Sequence, residues 1–325
     1  MKLTPSFAFS VFSEETFQEK MVAVSQQLAQ CRQEGHFNGF DGKPLWYEYF
    51  QVQDSRGAVV ILHGLSEFTG KYHEFAWCLL NQGYDVFLYD QRSHGKSCRL
   101  TDQIDLLHVD AFGDYQKDLD CFLDQVVRKA AGGSPLYLYG HSMGGAVALQ
   151  YLAKHPEAFR KAVLSAPMIE PLTGSVSPAV ARWGLLVYCL FGAGKRKFWG
   201  SEEFDPEYPF SRSQDRSLAR FQWNMKTRLA DKRLCTTPMT IRWVQQSVSL
   251  RSKLTGKRFL KKLQTPIRML CAEQDRVVSE KAQVELAEKC PLCQKVVVPG
   301  STHSMLWGTA ETIEAHVKQV LDHFS

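Results

Sequence analysis

No stretch of this 325-residue chain approaches the roughly 20 consecutive apolar residues that a membrane-spanning helix needs. The best candidate, Trp183 to Gly194, is only about a dozen residues long. The first residues are not expected to act as a secretory signal: the apolar patch Phe7 to Phe12 is brief and gives way to Glu14 and Glu15. Nine cysteines are an odd number, which excludes a complete internal disulfide framework. Cys78, Cys121 and Cys271 sit in apolar segments, where buried free thiols are common. These features point to a reducing compartment and a cytoplasmic protein. Cys290-Pro291-Leu292-Cys293 has redox spacing but lies between a helix-like stretch and a strand, and no second ligand pair follows for a metal. There is no phosphate-cradling loop, no dinucleotide fingerprint, no repeat and no low-complexity tract. No cofactor and no metal are implied.

What the chain does contain is an apolar share of 44%, enough for a sizeable core. Short runs rich in β-branched and aromatic residues read as buried strands: Ala58 to Leu62, Tyr84 to Tyr89, Leu136 to Gly140, Ala162 to Ala166, Ile267 to Ala272 and Lys295 to Val298. Leu45 to Val52 alternates more and reads as an antiparallel edge strand. Helical patterns intervene at Tyr115 to Lys129, Ala146 to Lys154 and Glu280 to Lys289. Strands alternating with helices predict an α/β fold with a mostly parallel sheet covered on both faces. The alternation stops after Pro167 and resumes near residue 263. We therefore expect an N-terminal extension (1–36), a core in two parts (37–167 and 263–325) and an inserted cap (168–262) over the sheet's C-terminal edge, where open α/β sheets bind ligands. The insertion includes a Pro/Gly/Ser loop, Pro171 to Pro178, and carries a net charge of +11, leaving −6 for the remainder.

Gly140-His141-Ser142-Met143-Gly144-Gly145 stands between the strand Leu136 to Gly140 and the helix-like Ala146 onward. A G-x-S-x-G sequence is weak alone. In a strand–turn–helix setting it marks a nucleophile elbow, with glycines where a side chain would collide with nearby backbone. A serine nucleophile needs a base, and the base needs an orienting acid, in the order Ser, acid, His. Three histidines follow the insertion. His316 and His323 fall in the terminal helix, on the side we expect to be solvated. His303 follows the last strand and is the expected base. The acid should follow Ile267 to Ala272. Asp275 is the first choice and Glu273 the runner-up, the bland alternative being a carboxylate that caps the helix starting near Ser279. The oxyanion needs two donors: the N–H of Met143 and, from the loop after Ala58 to Leu62, that of Leu65. His63 reads as structural, as does the turn Asp90 to Ser97 with His94.

His63-Gly64 with Gly70-Lys71-Tyr72, Asp90-Gln91-Arg92, the Gly140 to Gly145 elbow, Ser165-Ala166-Pro167-Met168, and the late Asp275 and His303 together resemble the monoacylglycerol lipase and lysophospholipase branch of the α/β-hydrolases. His108 to Phe112 with Asp114-Tyr115, Ser211-Arg212-Ser213 through Arg220, Asn224 and Arg242-Trp243-Val244 are most similar to bacterial lysophospholipases of the PldB type. The resemblance implies a triad of Ser142, Asp275 and His303 and an oxyanion hole at Leu65 and Met143. Two departures stand out: Leu65-Ser66-Glu67-Phe68 replaces a loop of small residues, and Ser93 stands where the family often has glycine.

The expected activity is hydrolysis of the acyl ester of a single-chain lipid, a lysophospholipid first and a monoacylglycerol second. A non-catalytic ligand-binding relative is the alternative from another class. Trp183, Leu186, Tyr188, Phe191 and Trp243 are candidates for lining an acyl tunnel, and Arg212, Arg216 and Arg220 for pairing with a phosphate at its mouth. The basic insertion and the patch Leu185 to Phe191 predict peripheral contact with an anionic membrane surface. No nucleic-acid reader motif accompanies the basic charge, so nucleic acid is not an expected partner.

Overall fold

The computed structural model describes residues 2–7, 11–174 and 176–325. Residues 8–10 of the apolar patch Phe7 to Phe12, and Ser175 of the loop Pro171 to Pro178, lie outside the described residues. Eight strands form one sheet: β1 (Gln33–Asn38), β2 (Pro44–Phe50), β3 (Ala58–Leu62), β4 (Asp85–Tyr89), β5 (Leu136–His141), β6 (Lys161–Ser165), β7 (Ile267–Gln274) and β8 (Cys293–Thr302). Their spatial order is β1-β2-β4-β3-β5-β6-β7-β8. The pairs from β4 through β8 are parallel, whereas β1–β2 and β2–β4 are antiparallel. All five residues of β3 and of β4 are buried, because helices cover both faces.

Two N-terminal elements extend the expected organisation. β1 is polar apart from Phe37, so period-2 reading passes over it; it nevertheless pairs residue for residue with β2 and takes the edge position expected for Leu45 to Val52. The sheet therefore begins inside the segment 1–36. Before it, the helix Phe17–Cys31 buries Phe17, Met21, Val24, Leu28 and Cys31, a single apolar face at 3-to-4-residue spacing. The terminal helix Ala310–Phe324 brings a correction. His316 is fully buried, its Nε2 3.1 Å from the Tyr139 hydroxyl, and His323 is half-buried against the Pro266 carbonyl at 3.3 Å. The face expected to be solvated is the face packed on the sheet.

Between β6 and β7 the chain adds helices to the fold instead of strands. The longer ones, Pro178–Leu190, Leu218–Ala230 and Ile241–Ser247, each start on a hydroxyl cap, Ser177, Ser217 and Thr240 respectively. Many hydrogen bonds tie the insertion to the core. Leu107 donates to the Pro238 carbonyl at 2.8 Å and accepts from Thr240 at 2.9 Å. The amide of Arg216 donates to the Trp307 carbonyl at 2.8 Å. Arg220 forms a buried two-pronged pair with Glu74 at 2.8 and 2.6 Å and donates to the Phe12 carbonyl at 2.8 Å.

Burial pushes the Glu74 carboxyl above its usual range even with Arg220 beside it. Removing Arg220 leaves that carboxylate buried without a countercharge. Arg220→Met should therefore cost about 3–5 kcal/mol of stability, read as a lower urea midpoint at unchanged slope. A loss under ~1 kcal/mol would show that the pair is not what clamps the insertion to the core.

Candidate active site

β5 runs into the elbow and the helix Met143–Leu152 leaves it at once, so Ser142 sits in the turn with φ 50° and ψ −114°. Such a backbone costs on the order of 1–3 kcal/mol and persists only where surroundings enforce it. Here the Ser142 amide donates to the Ser165 carbonyl, and its own carbonyl accepts from Met168, both at 2.9 Å. The helix then passes very close to β3: a Cβ on Gly144 would lie 2.2 Å from the Leu62 carbonyl oxygen. Only glycine permits that approach, which brings the Met143 amide toward the loop after β3. Met143 is the first residue of its helix, so no carbonyl within the helix takes its N–H.

The structure brings the three expected triad residues together. His303 Nε2 lies 2.9 Å from Ser142 Oγ, and His303 Nδ1 lies 2.8 Å from Asp275 Oδ2. The other Asp275 oxygen accepts from the amides of Val277 (2.8 Å) and Val278 (3.0 Å). Burial would raise this carboxyl. The bond and charge of His303, with the two amides, more than offset that and hold it below its usual range. Glu273 is exposed at the end of β7 and accepts from the Gly300 amide at 2.8 Å instead.

The loop carrying Leu65 is held by Glu67, a residue to which sequence reasoning gave no role. Glu67 Oε2 accepts from the Gly64 amide and the Tyr72 hydroxyl, each at 2.6 Å. Oε1 accepts from Lys71 Nζ at 2.8 Å and lies 3.7 Å from His141 Nε2. Despite full burial, Lys71, His141 and Tyr72 hold the Glu67 carboxyl well below the usual range. The Glu67/Lys71 spacing, four residues apart beside a Gly-rich loop, was the available signal. His141 is kept neutral by burial, at about 4, and its ring packs 5.2 Å from that of His303. His63 donates from Nδ1 to the Gly64 carbonyl and accepts at Nε2 from Gln91, so both nitrogens serve the loop. His94 is buried behind His63 and outside the relay. Ser93 takes the left-handed conformation at φ 65°, so the turn keeps a glycine-like backbone without glycine. Cys290 and Cys293 are free and buried, and burial raises both thiols.

The expected substrate-binding residues are scattered. Trp183, Tyr188 and Phe191 are 63%, 52% and 87% exposed, so they face outward instead of lining a tunnel. Leu186 is half-buried beside them. Trp243 is buried in the main core with its indole N–H donating to the Tyr115 hydroxyl at 3.1 Å. Arg212 and Arg216 are exposed, the former paired with Glu202 at 3.2 Å. Arg220 is withdrawn into its pair with Glu74 and cannot stand at a mouth. The surface-charge count could not see that pairing, because Glu74 is far away in sequence. The Ser142 and His303 residues are themselves only 6% and 7% exposed.

Similarity to known proteins agrees with this geometry. Lysophospholipase L2 of Escherichia coli strain K12 is 27% identical over 314 residues, covering 90% of this chain and 88% of that one. The probable lysophospholipase L2 of Haemophilus influenzae is 26% identical over 269 residues, covering 83% of each. In fold, a soluble variant of the Saccharomyces cerevisiae monoglyceride lipase superposes with a TM-score of 0.73 at 20% identity, covering 91% of this chain and 96% of the other. The family model of serine aminopeptidase S33 (Hydrolase_4) matches residues 53–309. The chain belongs to that family, within the lysophospholipase and monoacylglycerol lipase branch of the α/β-hydrolases.

Proposed function

We propose that the protein hydrolyses the acyl ester of single-chain lipids, lysophospholipids in particular, with Ser142 as nucleophile, His303 as base and Asp275 as the orienting acid. The observation that carries this is the relay Asp275–His303–Ser142 at 2.8 and 2.9 Å beside a free helix N-terminus. His303 takes the hydroxyl proton as Oγ attacks the ester carbonyl, and the Met143 and Leu65 amides receive the oxyanion. The protonated His303 then gives its proton to the departing glycerol-side oxygen. Water, deprotonated by the same imidazole, releases the fatty acid from Ser142. Two bacterial lysophospholipases covering most of the chain favour the lysophospholipid over the monoacylglycerol.

The insertion, residues 168–262, acts in this reading as a cap. The near burial of Ser142 and His303 favours a narrow substrate with one acyl chain. With matched micelles, kcat/KM for lyso-oleoyl phosphatidylethanolamine should exceed that for the dioleoyl lipid by at least about tenfold. Equal values would remove the argument from the cap, and monoacylglycerol turnover well above both would transfer the function to monoacylglycerols.

We further propose that the cap docks on membranes. The helix Pro178–Leu190 buries Leu185 and Cys189 against Ile241 and Val248. Its other face presents Val180, Trp183, Val187, Tyr188 and Leu190 to solvent, next to exposed Phe191 and Trp199. An aromatic apolar face on an insertion of charge +11 suits an anionic interface on the cytoplasmic side. No helix among the described residues is long and apolar enough to cross a membrane. Trp183→Ser/Phe191→Ser should lower sedimentation with phosphatidylglycerol-containing vesicles about tenfold or more, and added salt should weaken wild-type binding. Binding unchanged by both would exclude this face.

A further inference from the structure

Within the insertion lies a cavity of about 270 Å³ that only Lys71 joins to the core, and two of its walls are bonded to the loops that carry Leu65 and His303. Lys71, on one wall, is bonded to the Glu67 that holds the Leu65 loop. Asp215, on another, follows Gln214, whose carbonyl accepts from Thr302, the neighbour of His303. Asn224 and Arg228 reach in from the helix Leu218–Ala230. Glu202, Glu203 and Asp205 close the outer side, and all three are exposed.

The charges in this cavity do not cancel locally. Lys71 is satisfied by Glu67 at 2.8 Å, and Asp215 adds a second nearby carboxylate. Arg228 is different. It donates to the carbonyls of Leu234 (3.0 Å) and Thr236 (2.8 Å) and to Thr237 Oγ1 (3.1 Å), and it lies 4.5 Å over the Phe204 ring. Among the described residues, no carboxylate lies within 4.0 Å of it. Burial draws its guanidinium down to about 10, and the more distant Glu67 and Asp215 offset only part of that. Nearby, Asn224 Oδ1 is buried with no donor. A half-buried cation and an orphaned acceptor both cost free energy unless a ligand completes them.

We propose that this cavity takes a zwitterionic phosphodiester head group. Arg228 receives the phosphate, the free glycerol hydroxyl donates to Asn224 Oδ1, and the rim carboxylates receive the amine. The phosphate belongs at Arg228 and not at Lys71, because Lys71 is already paired with Glu67 at 2.8 Å whereas Arg228 has no carboxylate in contact. The rim carboxylates remain available. Glu202 and Glu203 are held only by exposed partners, Arg212 and Lys197, and such surface pairs exchange at little cost. An anionic head group without an amine fits less well, since it meets the same three carboxylates with nothing to offer them.

This inference rests on the single-chain lipid reading above, and one experiment separates the two. The panel is four oleoyl substrates: lysophosphatidylethanolamine, lysophosphatidylglycerol, monoacylglycerol, and the p-nitrophenyl ester as a measure of acyl transfer alone. For Arg228→Gln, the ratio of kcat/KM on lysophosphatidylethanolamine to that on monoacylglycerol should fall about 10–100-fold, chiefly through KM, as loss of a charge-assisted contact to phosphate requires. Arg228 also braces the 234–237 turn, so a second variant leaves it in place. Glu202→Gln/Glu203→Gln/Asp205→Asn should move preference several-fold from lysophosphatidylethanolamine toward lysophosphatidylglycerol. Equal losses on all four substrates for Arg228→Gln, or an unmoved preference in the rim variant, would overturn the head-group assignment while the lipid reading stands. Wild-type turnover of the p-nitrophenyl ester with none of any lipid would overturn both.

Discussion

Ser142→Ala should abolish turnover of a soluble ester by roughly four to six orders of magnitude in kcat while the protein stays folded. In the proposed reading this hydroxyl forms the acyl-enzyme, and the His303 imidazole is already 2.9 Å away. His303→Ala should lose about as much, since a neutral serine is a poor nucleophile at neutral pH. The double variant should be little worse than either single one, because the two residues act as one unit. Residual activity above a few per cent in pure Ser142→Ala would assign the nucleophile elsewhere. The strained turn adds a control. Ser142 pays for its position at φ 50°, which glycine adopts freely. Ser142→Gly should therefore be as inactive as Ser142→Ala yet at least as stable as wild type in thermal unfolding. A substantial destabilisation would mean that the elbow is shaped by the side chain and not forced on it by the neighbouring carbonyls.

The parts of this site that were legible from sequence are those made by local patterns at sheet edges. Five buried strands were readable because both faces are covered and the runs are apolar, and for Ala58–Leu62 the bounds coincide with the structure; the sixth run, Lys295 to Val298, was expected to be buried but lies in the edge strand β8, where only Val298 is buried and Val297 is exposed. Ser142, Asp275 and His303 follow from the order of strands, since each sits just beyond a parallel strand's C-terminal end. Sequence reading stopped where a partner lies far along the chain. Arg220 looked like a surface cation in a basic segment, and only the fold reveals Glu74 against it. Arg228 was one charge among many until its burial and missing carboxylate set it apart. Phe191 and Trp183 looked like tunnel lining because their segment is apolar, but the stripe facing inward is Leu185 and Cys189. β1 was invisible because an edge strand with solvent on one side needs few apolar residues.

Asp275→Asn should lower kcat by about 10³–10⁴-fold, and the reason lies in how many acceptors the site requires. Asp275 uses both oxygens: one faces His303 Nδ1, the other faces the amides of Val277 and Val278. Asparagine has one oxygen and one NH₂. If its oxygen keeps the two backbone donors, the NH₂ faces Nδ1, which must then give up its proton and accept. The imidazole proton moves to Nε2, the nitrogen that should take the proton of Ser142. If the oxygen turns to Nδ1 instead, the NH₂ is pressed against two amide N–H groups and the helix entry after Ser279 is disturbed. Either arrangement also loses the charge that stabilises the imidazolium. Glu273→Gln, by contrast, keeps an oxygen for the Gly300 amide and should leave kcat within about threefold. The pH dependence separates the same two residues. The Asp275 carboxyl is held below its usual range, so its contribution to stability is complete above the unfolded carboxylate value and is lost as pH falls through the lowered one. The stability gap between wild type and Asp275→Asn should therefore be widest near neutrality and close in strong acid. A fall in rate near pH 6 cannot arise from protonating Asp275. If Glu273→Gln proved the more damaging of the two in kcat on the p-nitrophenyl ester, the orienting acid would be Glu273 and the Asp275–His303 bond only a structural one.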